Sequence, residues 1–370
     1  MLLASDSIGK EFVVTCFGES HGRCVGVVVD GCPAGLPISE RDIQEEVDKR
    51  IPLKPQIVSA RREKDVVEVL SGIFDGFTTG APICTLVWNK EAVSGEYDQI
   101  RDVPRPGHAD YPARIKYGGF NDYRGGGRFS GRITVAFVMA GAIAKKLLGL
   151  FGVEVLAYAV EIGKVKVEKK LTIEEIRRNT YKSPVRCPDL GRAKAMEEEI
   201  LKAKSEGDSV GGVVECVALK VPVGVGEPIF DSLDADIAKM LFDVPAVKGV
   251  EFGAGFKVAQ LRGSENNDVY AISGGDIVTL TNNAGGILGG MSSGMPIVVR
   301  AAIKPTSSIS KEQKSVDLSE MEETLIRVRG RHDPCIVPKA VPVVESAVAV
   351  VLAEHMLRAG VIPKVLREKG

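Results

Sequence analysis

Three of the four histidines in this 370-residue chain lie in glycine- or proline-bearing strips beside charged or hydroxyl side chains. His21 belongs to Phe17–Gly22 (FGESHG), His108 to Arg105–Asp110 (RPGHAD) and His332 to Gly330–Cys335 (GRHDPC). An imidazole with an unperturbed pKa of about 6.5 suits proton transfer at neutral pH. On a turn beside Arg, Asp or Ser it has little packing work to do. The competing readings of FGESHG are an exposed loop histidine and a nucleophilic Ser20. Against the serine, neighbours in sequence rarely adopt the Ser–His geometry of a triad. The fourth histidine, His355, reads as a helix-surface residue.

Two further strips offer donors to an anion. Arg124–Arg132 (RGGGRFSGR) places three arginines and four glycines ahead of an apolar run, so its backbone N–H groups and Arg128 suit a phosphate or carboxylate. Lys304–Ser308 (KPTSS) ends a strand-like run with a lysine and three hydroxyls. It is not a phosphate loop of the GxxxxGK[ST] type, and Gly285–Gly290 (GGILGG) lacks the βαβ frame of a dinucleotide site. The 41 glycines concentrate at 118–131, 249–255, 274–275 and 285–294, where they serve either ordinary loops or a backbone that approaches a ligand closely. Together the strips point to acid–base chemistry on a substrate with phosphate or carboxylate groups. Residue types and spacing do not say which reaction.

The elements that must position these strips are mixed α and β. Strand-like runs fall at 12–16, 25–29, 66–70, 83–88, 153–160, 210–221, 277–281 and 297–303. Helical patterns fall at 39–50, opened by Ser39 and Asp42 in capping-box positions, and at 132–150, 188–204, 231–242 and 343–358. The 132–150 pattern is apolar nearly all round, which predicts a helix buried on every side rather than a membrane span.

Lys+Arg at 48 against Asp+Glu at 49 leaves a net charge of −1, so bulk nucleic-acid or membrane binding is not expected and anion affinity must be local. RGGGR resembles an RNA-binding box only superficially. Seven cysteines without a CxxC pair read as reduced thiols in a cytoplasmic protein, and no metal-ligand spacing occurs. The first residues lack the basic-then-apolar pattern of a secretory signal.

In their order, these strips and the runs between them resemble the chorismate synthase family. The matching stretches are GESHG (18–22), DGCPAGLPIS (30–39), SGIFDGFTTGAPI (71–83), RPGHAD (105–110), RGGGRFSGR (124–132), GEPIFDSLDADIAKML (226–241), AVKGVEFGAGF (246–256), NNAGGILGGMSSGMPI (282–297), KPTSSI (304–309) and GRHDPCIVPKAVPVVE (330–345). The resemblance implies one domain over 1–370 with an α+β fold, a β-α-β sandwich in which helices lie between two sheets. It implies a homotetramer, 5-enolpyruvylshikimate 3-phosphate as substrate, and a 1,4-anti elimination of phosphate that gives chorismate. Reduced FMN is required without net redox change.

It also implies roles. His21 would meet the departing phosphate, His108 would protonate the reduced flavin, and Asp333 would assist removal of the C6 proton, with Ser20 and Ser130 supporting the proton network. Arg50, Arg105, Arg128 and Arg331 would surround substrate or flavin. Arg128, Phe129, Ser130, Ala246, Gly289, Lys304, Pro305, Thr306, Ser307, Ser308 and Arg331 would hold the flavin. Two positions depart from the family pattern: Phe129 replaces a frequent serine, and Gln56 stands where relatives carry an arginine, with Lys54 a poorer substitute for a guanidinium. A competing class is a flavin oxidoreductase with net hydride transfer. Without a separate nicotinamide fingerprint, an external flavin reductase is expected rather than intrinsic NADPH oxidation.

Overall fold

The computed structural model describes residues 5–54, 57, 65–90, 100–328 and 332–367. One antiparallel sheet comprises β1 (Ser7–Ile8), β2 (Val13–Gly18), β3 (Cys24–Asp30), β4 (Val67–Ser71) and β5 (Ile83–Trp88), in the order β1-β2-β3-β5-β4. The other comprises β6 (Glu154–Ile162), β7 (Val165–Lys166), β8 (Gly212–Leu219), β9 (Val247–Phe252) and β10 (Ile297–Ile303), in the order β9-β10-β8-β6-β7. The principal helices are α1 (Glu40–Asp48), α2 (Asp110–Lys116), α3 (Thr134–Gly149), α4 (Leu190–Ser205), α5 (Leu233–Phe242) and α6 (Val337–Arg358).

Helices α3 and α6 pack against each other between the sheets, α3 touching β2 and β3 and α6 touching β6 and β8. This is the expected β-α-β sandwich. The strand period explains the first interface: Val25, Val27 and Val29 turn one buried face of β3 inward. The expected all-round apolarity of α3 is met, with twelve of its residues buried, from Thr134 to Leu148. Where α3 crosses α6, Gly141 removes a side chain opposite Ser346.

Buried charge fastens the layers. Lys145 on α3 pairs with Glu46 on α1 and, at 2.6 Å, with Glu345 on α6. Glu345 also accepts the β6 backbone N–H of Ala157 at 3.0 Å, so none of its oxygens is stranded. Glu354, also on α6, accepts the N–H groups of Glu11 and Phe12 at 2.8 and 2.7 Å.

Three local expectations change. His355 is buried inside α6, with Nε2 2.9 Å from Asp236 on α5, so its helix is covered on the side read as surface. Helix α6 starts six residues before the expected Val343, with proline in its first turn, where the missing N–H costs nothing, and Pro342 inside. A helix, α2, follows the RPGHAD turn directly.

Candidate active site

Strand β2 ends at Gly18 and delivers the GESHG loop. Ser20 is buried, and its N–H donates to the carbonyl of Gly127 at 3.2 Å, stitching this loop to the RGGGR strip. Gly125 and Gly126 both adopt left-handed φ, +58° and +82°. A Cβ on Gly125 would lie 2.5 Å from His21 Nε2 and 2.9 Å from Ser20 Oγ. A Cβ on Gly126 would lie 3.3 Å from His108 Nε2. Two successive glycines therefore carry two histidines that are distant in sequence, one against each. The strip expected to cradle an anion lies here against both imidazoles.

The RPGHAD strip is anchored from two directions. Within it, Asp110 Oδ1 lies 2.6 Å from His108 Nδ1, and both Asp110 oxygens receive Arg105 N–H groups at 2.8 Å. Burial alone would raise the Asp110 pKa, but the hydrogen bonds from Arg105 and His108 outweigh it and hold the carboxyl below its ordinary range. Across the chain, Arg105 Nη1 donates to Ser308 Oγ at 2.9 Å and Ser307 Oγ donates to the Gly107 carbonyl at 2.7 Å. The KPTSS turn thus closes on the histidine strip.

Lys304 donates to Ser307 Oγ at 2.7 Å, and burial, with the charge of Lys248 added, lowers its pKa. Its backbone N–H binds the carbonyl of Ala246, a non-glycine residue at φ +74°. Ser209 Oγ donates to the Thr306 carbonyl at 2.8 Å while the next residue, Val210, donates to the Pro334 carbonyl at 2.8 Å. Those two bonds bring the HDPC segment alongside KPTSS. There Asp333 pairs with Lys339 at 2.7 Å, near the start of α6.

Arg50 donates to Thr134 Oγ1 at 2.7 Å, and loss of hydration pushes its pKa down to about 10, Asp65 opposing and Arg132 adding. Arg132 is paired with Asp65 and donates to Asn89 Oδ1 at 3.0 Å. Arg128 instead turns toward Asp6 and the carbonyls of Cys16 (2.9 Å) and Gly18 (3.2 Å), holding the end of β2. Phe129 packs its ring 6.5 Å from that of Tyr117, and Ser130 Oγ accepts the Arg132 N–H at 3.3 Å. Gly289 sits at the turn of the Ile287–Leu288 and Met291–Ser292 ribbon, whose Gly290 carbonyl binds Leu233 at the start of α5. Arg331 and Gln56 lie outside the described residues, and Lys54 is paired with Glu197 at 2.6 Å.

The family model for chorismate synthase matches residues 12–357. A chorismate synthase of Dehalococcoides mccartyi is 56% identical over 364 residues, 98% of this chain and 100% of that protein. One of Methanosarcina barkeri is 53% identical over 367 residues, 99% of this chain and 100% of that protein. A crystal structure of chorismate synthase superposes with a TM-score of 0.75 at 31% identity, covering 95% of this chain and 93% of that one.

The chain belongs to the chorismate synthase family. Membership makes it a lyase of aromatic amino-acid biosynthesis, and the family's reaction turns 5-enolpyruvylshikimate 3-phosphate into chorismate. Chorismate synthases use reduced FMN, and two buried polar atoms in the strips lack a partner. Thr306 Oγ1 in KPTSS and Arg132 Nη2 beside the GESHG loop have no hydrogen-bond partner among the described residues. Buried polar atoms ordinarily have partners, so a polyanionic flavin and a phosphorylated substrate fit a site that leaves donors waiting.

Sequence reasoning passed over Asn89, did not single out Arg132, and left Asp110 with little role. Asn89 donates from Nδ2 to the carbonyls of Glu19 (3.0 Å) and Gly22 (2.8 Å), gripping the GESHG loop at both ends. No signal marked it, because it is a lone amide at a strand end. Arg132 was legible as part of the RGGGRFSGR strip but not singled out. Asp110 was legible as the anion of RPGHAD, with no role assigned beyond holding the turn or the imidazole in place.

Proposed function

We propose that this enzyme eliminates phosphate from 5-enolpyruvylshikimate 3-phosphate with reduced FMN held along Arg128, Phe129, Ser130, Ala246, Gly289, Lys304, Pro305, Thr306, Ser307, Ser308 and Arg331. The single observation that carries the reading is the pair of successive glycines that meet His21 and His108, one against each. When bound, reduced FMN supplies transient electron density to the substrate. The chain's own residues do the rest. Arg50, Arg105, Arg128 and Arg331 bind the anionic groups, with Arg105 preoriented by Asp110.

His21 gives its proton to the departing phosphate oxygen as the C–O bond breaks, with Ser20 beside it. His108 holds a proton for the cofactor. Asp333 assists in taking the proton from C6, so the electrons of that C–H bond complete the new diene. Ser130 supports the proton network and caps the turn into α3.

We also infer a homotetramer, supported by large apolar side chains left exposed, including Phe120, Phe230 and Phe256. One domain over 1–370 is supported by the main core cluster, which draws on both sheets and the helices between them. A cytoplasmic setting is supported by the seven free cysteines. Flavin reduction is assigned to a separate reductase. Oxidation of NADPH by the purified protein with FMN would overturn that assignment.

The deciding assay is anaerobic. The folded protein, 5-enolpyruvylshikimate 3-phosphate and dithionite-reduced FMN should yield phosphate and chorismate together. Absence of product under those conditions overturns the reading.

A further inference from the structure

We propose that Asp110 is a positioning residue that fixes the His108 imidazole in its Nδ1–H form and locks the Arg105 guanidinium beside it. The proposal deepens the functional reading above and rests on His108 acting in the site.

The argument starts from the capacity of one carboxylate. Two oxygens offer about four lone-pair positions. Oδ1 meets His108 Nδ1 at 2.6 Å and Arg105 Nη2 at 2.8 Å, while Oδ2 meets Arg105 Nε at 2.8 Å and the Arg105 backbone N–H at 3.0 Å. All four positions are filled by donors. The carboxylate side chain is 7% exposed and that of Arg105 is 5% exposed, so water does not compete for them. The first turn of α2 carries Asp110, where an anion also meets the favourable end of the peptide dipoles.

A carboxylate can only accept, so the His108 nitrogen it faces must carry hydrogen. Nε2 is then the nitrogen on the side of Gly126, next to the glycine that contacts His21. Arg105 Nη2 lies 3.1 Å from His108 Nδ1 and 3.3 Å from Nε2, so the guanidinium covers the ring and limits its rotation. The same carboxylate therefore sets the proton arrangement of the histidine and the direction of the arginine. Through Ser308, 2.9 Å from Arg105 Nη1, the bracket is also tied to the KPTSS turn.

Replacing Asp110 by asparagine separates this role from simple packing. The amide has one oxygen, and Arg105 presents two donors to Oδ2, so the oxygen goes to the arginine and the NH2 faces His108. Nδ1 must then accept and carries no hydrogen, so a proton on Nε2 can leave only by making an imidazolate, and the ring loses its ability to hold a proton it can give. Losing the correct tautomer in this way costs roughly 10²–10⁴-fold in kcat, with KM changed by little.

The test combines kinetics with solid-state 15N spectra of the full enzyme labelled in its histidine rings. With four histidines, the His108 signals can be assigned by difference from His108→Gln. Wild type should show a protonated His108 Nδ1. Asp110→Asn should lose that signature and lose kcat while retaining KM. A wild-type His108 with a bare Nδ1, or a folded Asp110→Asn enzyme with kcat within about twofold of wild type, overturns the proposal. If the asparagine variant does not fold, the wild-type spectrum alone decides. Because the spectrum is read without turnover, failure of the chorismate assay and failure of this proposal are separate results.

Discussion

Gly125 and His21 stand so close that a methyl group on the glycine would lie 2.5 Å from the imidazole Nε2. The contact is set by a left-handed backbone, φ +58°, that a β-carbon disfavours by about 1–2 kcal/mol even in open space. Gly125→Ala should therefore do two separable things. It should lower stability slightly, and it should displace His21 and lower kcat at least tenfold. Gly76→Ala is the matched control, since Gly76 has φ +79° with nothing near its missing side chain. Equal kcat values for the two variants would show that the histidine tolerates displacement.

The two histidines should be individually costly. His21→Ala and His108→Ala are each expected to lower kcat by about 10²–10⁴-fold, the usual range for loss of an acid–base group, with the circular dichroism spectrum unchanged. Single-turnover measurements under anaerobic conditions give the clearest reading, because they isolate chemistry from product release. Either variant with full activity would remove that histidine from the proton path.

Asn89 is expected to act through the loop it holds. Asn89→Asp keeps an acceptor for Arg132 but loses the N–H donors to the Glu19 and Gly22 carbonyls. Each lost bond is worth about 1 kcal/mol and leaves an oxygen facing an oxygen. The expected result is a lower melting temperature together with a fall in kcat larger than any change in KM. A variant that melts lower but turns over normally would show that the loop is fixed by other contacts.

Acid should loosen the α1–α3 contact. The hydrogen bond and charge of Lys146 together with the Ser39 hydroxyl hold Asp42 down to about 2, against a small opposing cost of burial. A carboxylate whose folded pKa is depressed contributes stability above its unfolded pKa of about 3.9, and that contribution is lost as pH falls toward the folded value. The stability gap between wild type and Asp42→Ala, measured by urea unfolding, should thus be full near pH 6 and shrink between pH 4 and 2. A gap that stayed constant across that window would assign Asp42 to capping geometry alone.

How much of this was legible in the sequence depends on how far the partners lie apart. Strands at Ile83–Trp88 and Ile297–Ile303 have the bounds their β-branched runs predict, and the Ser39–Asp42 capping box is in place. Helix α3 could be read as buried on every side because it has no polar face to show water, while its place between the sheets came only with the family resemblance. The start of α6 was hidden by Pro338 and Pro342, which read as breakers but here occupy a first turn and a buried interior. Likewise α2 was masked by the Pro–Gly turn before it and by Pro112 within it. For the site, residue type identified the strips while their convergence stayed invisible. Arg105 meets Ser308 across 203 residues, a contact that only the folded chain brings about. Even His355, titratable and apparently exposed, proved to be a core residue because α5 supplies Asp236.

The central helix crossing gives the sharpest test of the sandwich itself. A Cβ on Gly141 would fall 2.6 Å from Ser346 Cα and closer still to that side chain, with both positions buried between the sheets. Two effects of Gly141→Ala then oppose each other. Alanine improves helix propensity by about 1 kcal/mol, while overpacking a close helix contact costs about 1–3 kcal/mol. Here the clash reaches backbone on the facing helix, which cannot rotate away, so the cost should win and the melting temperature should fall. Ser346→Gly in the same chain removes the opposing Cβ, so the double variant should recover part of the loss, a coupling visible in a double-mutant cycle. Alanine at 141 that stabilises the protein on its own would mean the two helices can move apart without loss, and the close crossing would not be what holds the layers together.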